Sequence, residues 1–236
     1  MKRVIIFTGL IVLAMALSLM AQPRWGKGNF QHGQRGTGMY TAISTLPAQE
    51  LSDSEKAGLL KMRQEEKLAR DVYLKLYEKW GIQVFANIAN SEQRHMDAVK
   101  MLLEKYGISD PITDDTIGVF PDSEFSGLFN ELVATGEGSE IDALLVGAKI
   151  EDLDIADLNN LLANTDNDDI KFVYERLKNG SYNHLRAFSR LLNNYGAEYT
   201  PQYISAEEYN EILSTQNNHG KRHGFMRGAN CPCLNQ

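Results

Sequence analysis

The chain has 236 residues, 43% hydrophobic and 23% charged, a globular composition sufficient for one sizeable domain with tails or at most two small domains. A formal charge of −7 argues against nucleic acid and anionic membranes as partners and favours cations. The two cysteines, Cys231 and Cys233, both lie in the extreme C-terminal tail, so no disulfide can hold the core together.

Met1-Lys2-Arg3 is a short basic start, followed by an almost wholly apolar run from Val4 to Met20 and a small residue, Ala21, at the expected cut. This is the layout of a secretory signal peptide over residues 1–21, which implies an exported protein, periplasmic or extracellular. The run also approaches spanning length, so an uncleaved anchor helix is the other reading. Loss of Lys2 and Arg3 on cleavage takes the charge to about −9. Residues 22–49, rich in Gly, Gln and Arg, read as a flexible linker.

Four helices are expected in residues 50–199. The first opens at Ser52 with Ser52-Asp53-Ser54-Glu55, a capping-box pattern, and stops at Gly81. The second runs from about Gln83 to Tyr106, the third from Ser139 to Asn164 and the fourth from Asp168 to Tyr195. The short links Gly81-Ile82 and Thr165-Asp166-Asn167 predict antiparallel hairpins. About thirty residues separate the second and third helices, and Phe125, Leu128, Phe129 and Leu132 predict a short extra helix there. Residues 200–236 read as a flexible tail with His219, His223, Cys231 and Cys233. The tail cysteines can form a strained bridge, bind a soft metal or link to another chain.

Polar residues interrupt the apolar stripes. Glu66 shares a face with Leu59, Met62, Ala69 and Tyr73; Glu92 and His95 lie between Ile88 and Val99; Glu151 falls between Ala148 and Ile155; His184 falls between Leu177 and Phe188. A buried lone carboxylate is costly unless paired or neutralised. Three inward carboxylates and two inward histidines on four helices therefore call for a shared cation. Their oxygen and nitrogen donors suit iron, manganese or zinc. Glu65, Asp71 and Asp154 flank these positions as secondary candidates, and Tyr73 and Tyr174 are expected as core aromatics, with a place lining the site as the other reading. No phosphate loop, nucleophile elbow or catalytic triad pattern is present.

Ser91-Glu92-Gln93-Arg94-His95, following Glu65 to Tyr73, resembles the rubrerythrin and ferritin-like superfamily, and more specifically the ferritin-like family known as domain of unknown function 2202. Asn183 to Phe188 and Leu153 to Leu158 add to the likeness, which covers about residues 50–196. The resemblance implies an all-α, ferritin-like four-helix bundle of hairpin, long crossover and hairpin. It also implies a metal site of Glu66, Glu92, His95, Glu151 and His184, taking one or two ions. Ser181 stands where the superfamily pattern has a fourth-helix Glu, which puts a symmetric two-iron centre in doubt. The expected function is oxygen, peroxide or iron-oxidation chemistry on iron or manganese, with metal ions and small oxidants as partners. The alternative is a non-catalytic exported helical module whose metal is structural or vestigial. A homo-oligomer is compatible with either.

Overall fold

Ser52 starts the first long helix as its capping pattern requires: its side chain accepts from the Glu55 N–H, and the Glu55 carboxylate accepts from the Ser52 N–H at 2.9 Å. The computed structural model describes residues 37–215, which form seven helices and, among the described residues, no strand. The expected leader at 1–21 and the expected tail cluster of His219, His223, Cys231 and Cys233 lie outside the described residues. No helix among those described is long and apolar enough to cross a membrane.

Helix α1 covers Thr37–Thr45 and α2 covers Asp53–Trp80. Gly81 ends α2 in the left-handed region, at φ 66°, where a side chain would be strained, and Ile82 leads directly into α3, Gln83–Lys105. A crossover then carries α4, Ser123–Gly136. Helices α5, Glu140–Ala163, and α6, Asp168–Asn194, form the second hairpin, and α7 is Ala206–Ser214. The long helices pack chiefly as α2 on α3 and α5 on α6; α3 also meets α6, α2 meets α5, and α4 lies on α2 and α5. The all-α expectation, the long helices near their expected bounds and the extra crossover helix are present.

Residues 37–45, expected as linker, and 206–214, expected as tail, are instead helical. Both are held by long-range contacts that a local pattern does not carry. Ile43 is buried, and Lys105 donates to the carbonyls of Ile43 and Leu46 at the end of α1 at 2.9 and 2.7 Å. Asp152 on α5 accepts from the Tyr199 hydroxyl and from the N–H groups of Gln202, Tyr203 and Ile204, at 2.6–3.1 Å. That carboxylate fixes the approach to α7, whose Tyr209 and Ile212 are buried.

The crossover is tied down by a buried ion pair. Lys67 is wholly enclosed; it pairs with Asp71, donates to the Thr116 carbonyl at 2.9 Å and lies 4.6 Å over the Phe120 ring. Asp71 also accepts from Arg70 and from the Gly118 N–H.

The buried apolar side chains fall into two clusters. One contains Leu59, Met62, Val99, Leu102, Leu158 and Leu177; the other contains Ala69, Tyr73, Phe85, Ile88, Ala148 and Phe188. On α2, α3 and α6 the change of cluster falls at the interrupting residues, Glu66, Glu92 with His95, and Ser181 with His184; on α5 it falls one turn beyond Glu151, between Ile155 and Leu158. A polar layer therefore crosses the interior at one height.

Candidate metal centre

All five interrupting residues are buried: Glu66 and Glu92 are 1% exposed, Glu151 0%, and His95 and His184 8% each. Glu92 and His95 come one turn apart on α3 and point the same way. His95 Nδ1 lies 2.6 Å from Glu92 Oε2 and 3.2 Å from Glu66 Oε2. His184 Nδ1 lies 2.8 Å from Glu92 Oε1 and 3.3 Å from Glu151 Oε2. Glu92 thus sits between the two imidazoles, one oxygen toward each. Two triads result, Glu66–Glu92–His95 and Glu92–Glu151–His184, each with donor atoms within 4.8 Å of one another. The imidazole rings lie 5.7 Å apart, tilted by 30°.

Proximity is not matched by hydrogen bonding. Only the His95–Glu66 approach has hydrogen-bond geometry. Glu66 Oε1, Glu92 Oε1, Glu151 Oε2 and His184 Nδ1 are buried without a hydrogen-bond partner. Buried polar atoms are normally satisfied, so four orphans in one layer call for a further partner. Lone pairs from carboxylate and imidazole groups converging on two points fit a pair of cations in the interior.

The electrostatics agree. Burial raises the Glu66 carboxyl to about 8, against the pull of His95. It raises Glu151 as well, partly offset by His184. Burial also works against ionised Glu92, but His184 and His95 outweigh it and hold that carboxyl well below the usual carboxylate range. Burial alone would lower His95; Glu92 and Glu66 overcome it and lift the ring to about 10. Without a cation the layer balances its charge with protons, and a metal ion would take their place.

Two contributors escape a reading of periodicity. Tyr73, expected as an ordinary core aromatic, donates its hydroxyl to Glu151 Oε1 at 2.5 Å, which leaves Oε2 turned toward His184. Gly180 on α6 makes room for His95: a Cβ there would stand 2.6 Å from Cε1 and 2.7 Å from Nε2 of that ring. A glycine in a long helix, one turn before an inward histidine, is the signal available for it. The flanking acids divide. The Asp71 carboxylate is committed to Lys67, Arg70 and the crossover. Glu65 pairs with Lys61 at 3.0 Å. Asp154 is buried near the layer, and burial followed by the charges of Glu66 and Glu151 pushes its carboxyl well up. Tyr174 is buried between α2 and α6, its hydroxyl without a partner. Ser181 is buried and donates to the Leu177 carbonyl at 3.3 Å within its own helix.

Comparison with known proteins assigns the chain. The family model described as "Uncharacterized protein domain (DUF2202)" matches residues 55–216, and the chain belongs to that family. It is 63% identical over 182 residues to "Uncharacterized protein MJ0754" of Methanocaldococcus jannaschii, covering 77% of this chain and 98% of the relative. A crystal structure of the hypothetical protein MJ0754 from Methanococcus jannaschii superposes with a TM-score of 0.72 at 64% identity, over 73% of this chain and 98% of that one.

Proposed function

We propose that this chain is a ferritin-like metal protein: a four-helix bundle of α2–α3 hairpin, long crossover and α5–α6 hairpin, built around a carboxylate–histidine centre for iron or manganese, with zinc as a redox-inert occupant. The observation that carries the proposal is Glu92, which offers one oxygen toward His95 and the other toward His184. Each triad adds a carboxylate of its own, Glu66 or Glu151. The donor set supports one ion per triad, with Glu92 shared. Ser181 stands where the superfamily pattern has a further carboxylate, so the residues that would hold the metal are Glu66, Glu92, His95, Glu151 and His184.

Bound iron or manganese would supply redox chemistry toward oxygen or peroxide, with iron(II) itself an alternative substrate. The protein's own part is positional. Glu92 sets the relation of the two sites, Tyr73 orients Glu151, Gly180 lets His95 lie against α6, and the two apolar clusters shield the layer from bulk water. The apolar N-terminal run supports export, with metal ions and small oxidants as partners and a homo-oligomer compatible with the site.

The second reading, a non-catalytic module with a structural metal, is favoured by Ser181 alone, since loss of a shared carboxylate is what a retired centre would show. Anaerobic loading with iron(II), followed by dioxygen or hydrogen peroxide, separates the two. Repeated oxidant consumption with a change in the ultraviolet–visible spectrum supports the redox reading. Firm metal retention without turnover supports the structural one.

A further inference from the structure

A cavity of about 90 Å³ lies beside the centre, between α2, α4 and α5. Its walls are apolar, with Leu68, Phe125, Leu128, Leu132, Ile150 and Leu153 facing it. Leu68, Leu132 and Ile150 are buried, whereas Phe125, Leu128 and Leu153 are half-buried and Tyr203 is 45% exposed. The cavity therefore runs from a rim near solvent to a buried end. Two carboxyl side chains, Glu65 and Asp154, line that end, 5% and 4% exposed.

The buried end borders the metal centre through the chain itself. Glu65 and Ile150 immediately precede Glu66 and Glu151, and Asp154 lies one turn beyond Glu151 on α5. One Glu65 oxygen is held by Lys61 at 3.0 Å; the other, Oε2, is buried with no hydrogen-bond partner. An unpartnered acceptor on the buried lining calls for a donor, because buried polar atoms are normally satisfied; hydrogen peroxide can supply one and dioxygen cannot.

Size and lining select the occupant. An apolar cavity of roughly 150 Å³ can stay dry and admit benzene or xenon, so this smaller one suits a molecule of a few heavy atoms. An ion is disfavoured: it would lose its hydration against leucine and phenylalanine, and a cation would also pass Lys149 on the lining. We propose that this cavity receives a small uncharged oxidant, dioxygen or hydrogen peroxide, and holds it beside the Glu66–Glu92–Glu151 layer. The proposal rests on the metal reading of that layer.

Xenon pressurisation of crystals of the metal-free full-length chain tests the cavity without reference to any metal. Xenon bound among Leu68, Leu132 and Ile150 is expected, and no xenon there overturns the proposal. Leu132→Trp should fill the buried end, and Leu128→Phe should narrow the rim at less cost to folding. In Leu132→Trp xenon should be lost, and in either variant that retains the wild-type iron content iron(II) oxidation should slow several-fold. A fall confined to the dioxygen-driven reaction identifies dioxygen as the passenger; one confined to the peroxide-driven reaction identifies peroxide. Wild-type rates with the cavity filled overturn the route while leaving the metal centre standing. A wild-type chain that takes up no redox metal overturns both.

Discussion

At the residue scale, Gly180 reverses an ordinary expectation. Glycine inside a helix costs about 1 kcal/mol relative to alanine, so Gly180→Ala would normally stabilise. Here the added methyl meets the His95 ring at 2.6 Å, and the ring is already confined by Glu66 and Glu92. Gly180→Ala should therefore give no gain in melting temperature and should lower metal content; a full helix-propensity gain with unchanged metal would refute this placement of His95. His95→Ala removes a donor nitrogen and should also lower metal content, whereas Glu65→Ala, which touches Lys61 rather than a proposed ion, should lower it much less. A second residue-scale prediction concerns acid stability. Burial opposes the ionised form of Glu55, but hydrogen bonds from Ser52 and Thr165 outweigh it and bring its carboxyl from 4.5 down to about 2. A carboxyl lowered on folding stabilises above its unfolded pKa and loses that contribution as the pH falls through the folded one. In denaturant titrations the advantage of wild type over Glu55→Gln should be complete above pH 4.5 and close as the pH falls toward about 2. An advantage that does not change with pH would contradict the assignment.

At the element scale, the crossover depends on one charge pair. Removing one member of a buried pair leaves the other uncompensated and typically costs about 3–5 kcal/mol, whereas replacing both by apolar groups is often near neutral. Lys67→Ala should therefore be strongly destabilising by chemical denaturation, and Lys67→Met with Asp71→Leu should recover part of the loss, limited by the Arg70 and Gly118 donors that Asp71 also serves. Equal loss in the single and double variants would point instead to the contacts of Lys67 with Thr116 and Phe120 and of Asp71 with Arg70 and Gly118. This pair was not legible in the sequence: Lys67 falls among the charges of Glu65 to Asp71, where a solvated face is the natural reading. The four long helices were legible, because 23 to 28 residues give periodicity room to repeat and Ser52 and Gly81 mark ends. Helices α1 and α7 have nine residues each, too few for a stripe, and their anchors Lys105 and Asp152 come from distant parts of the chain.

At the scale of the whole molecule, the polar layer divides one interior into two apolar clusters, and two hairpins meet across it. The five layer residues were legible because each breaks its own helical stripe. Their mutual arrangement was not: periodicity gives a face and a height, but not that Glu92 is shared between the histidines, that Tyr73 holds Glu151, or that a cavity lies behind Glu65 and Asp154. Metal that binds the folded chain alone should raise the melting temperature with concentration. The most direct measurement is anomalous diffraction from crystals loaded with iron or manganese, collected at the metal edge. The account predicts density within bonding distance of His95 Nδ1 with Glu66 and Glu92, and of His184 Nδ1 with Glu92 and Glu151. Saturated crystals in which all five side chains keep their positions and no anomalous peak lies between them would contradict it.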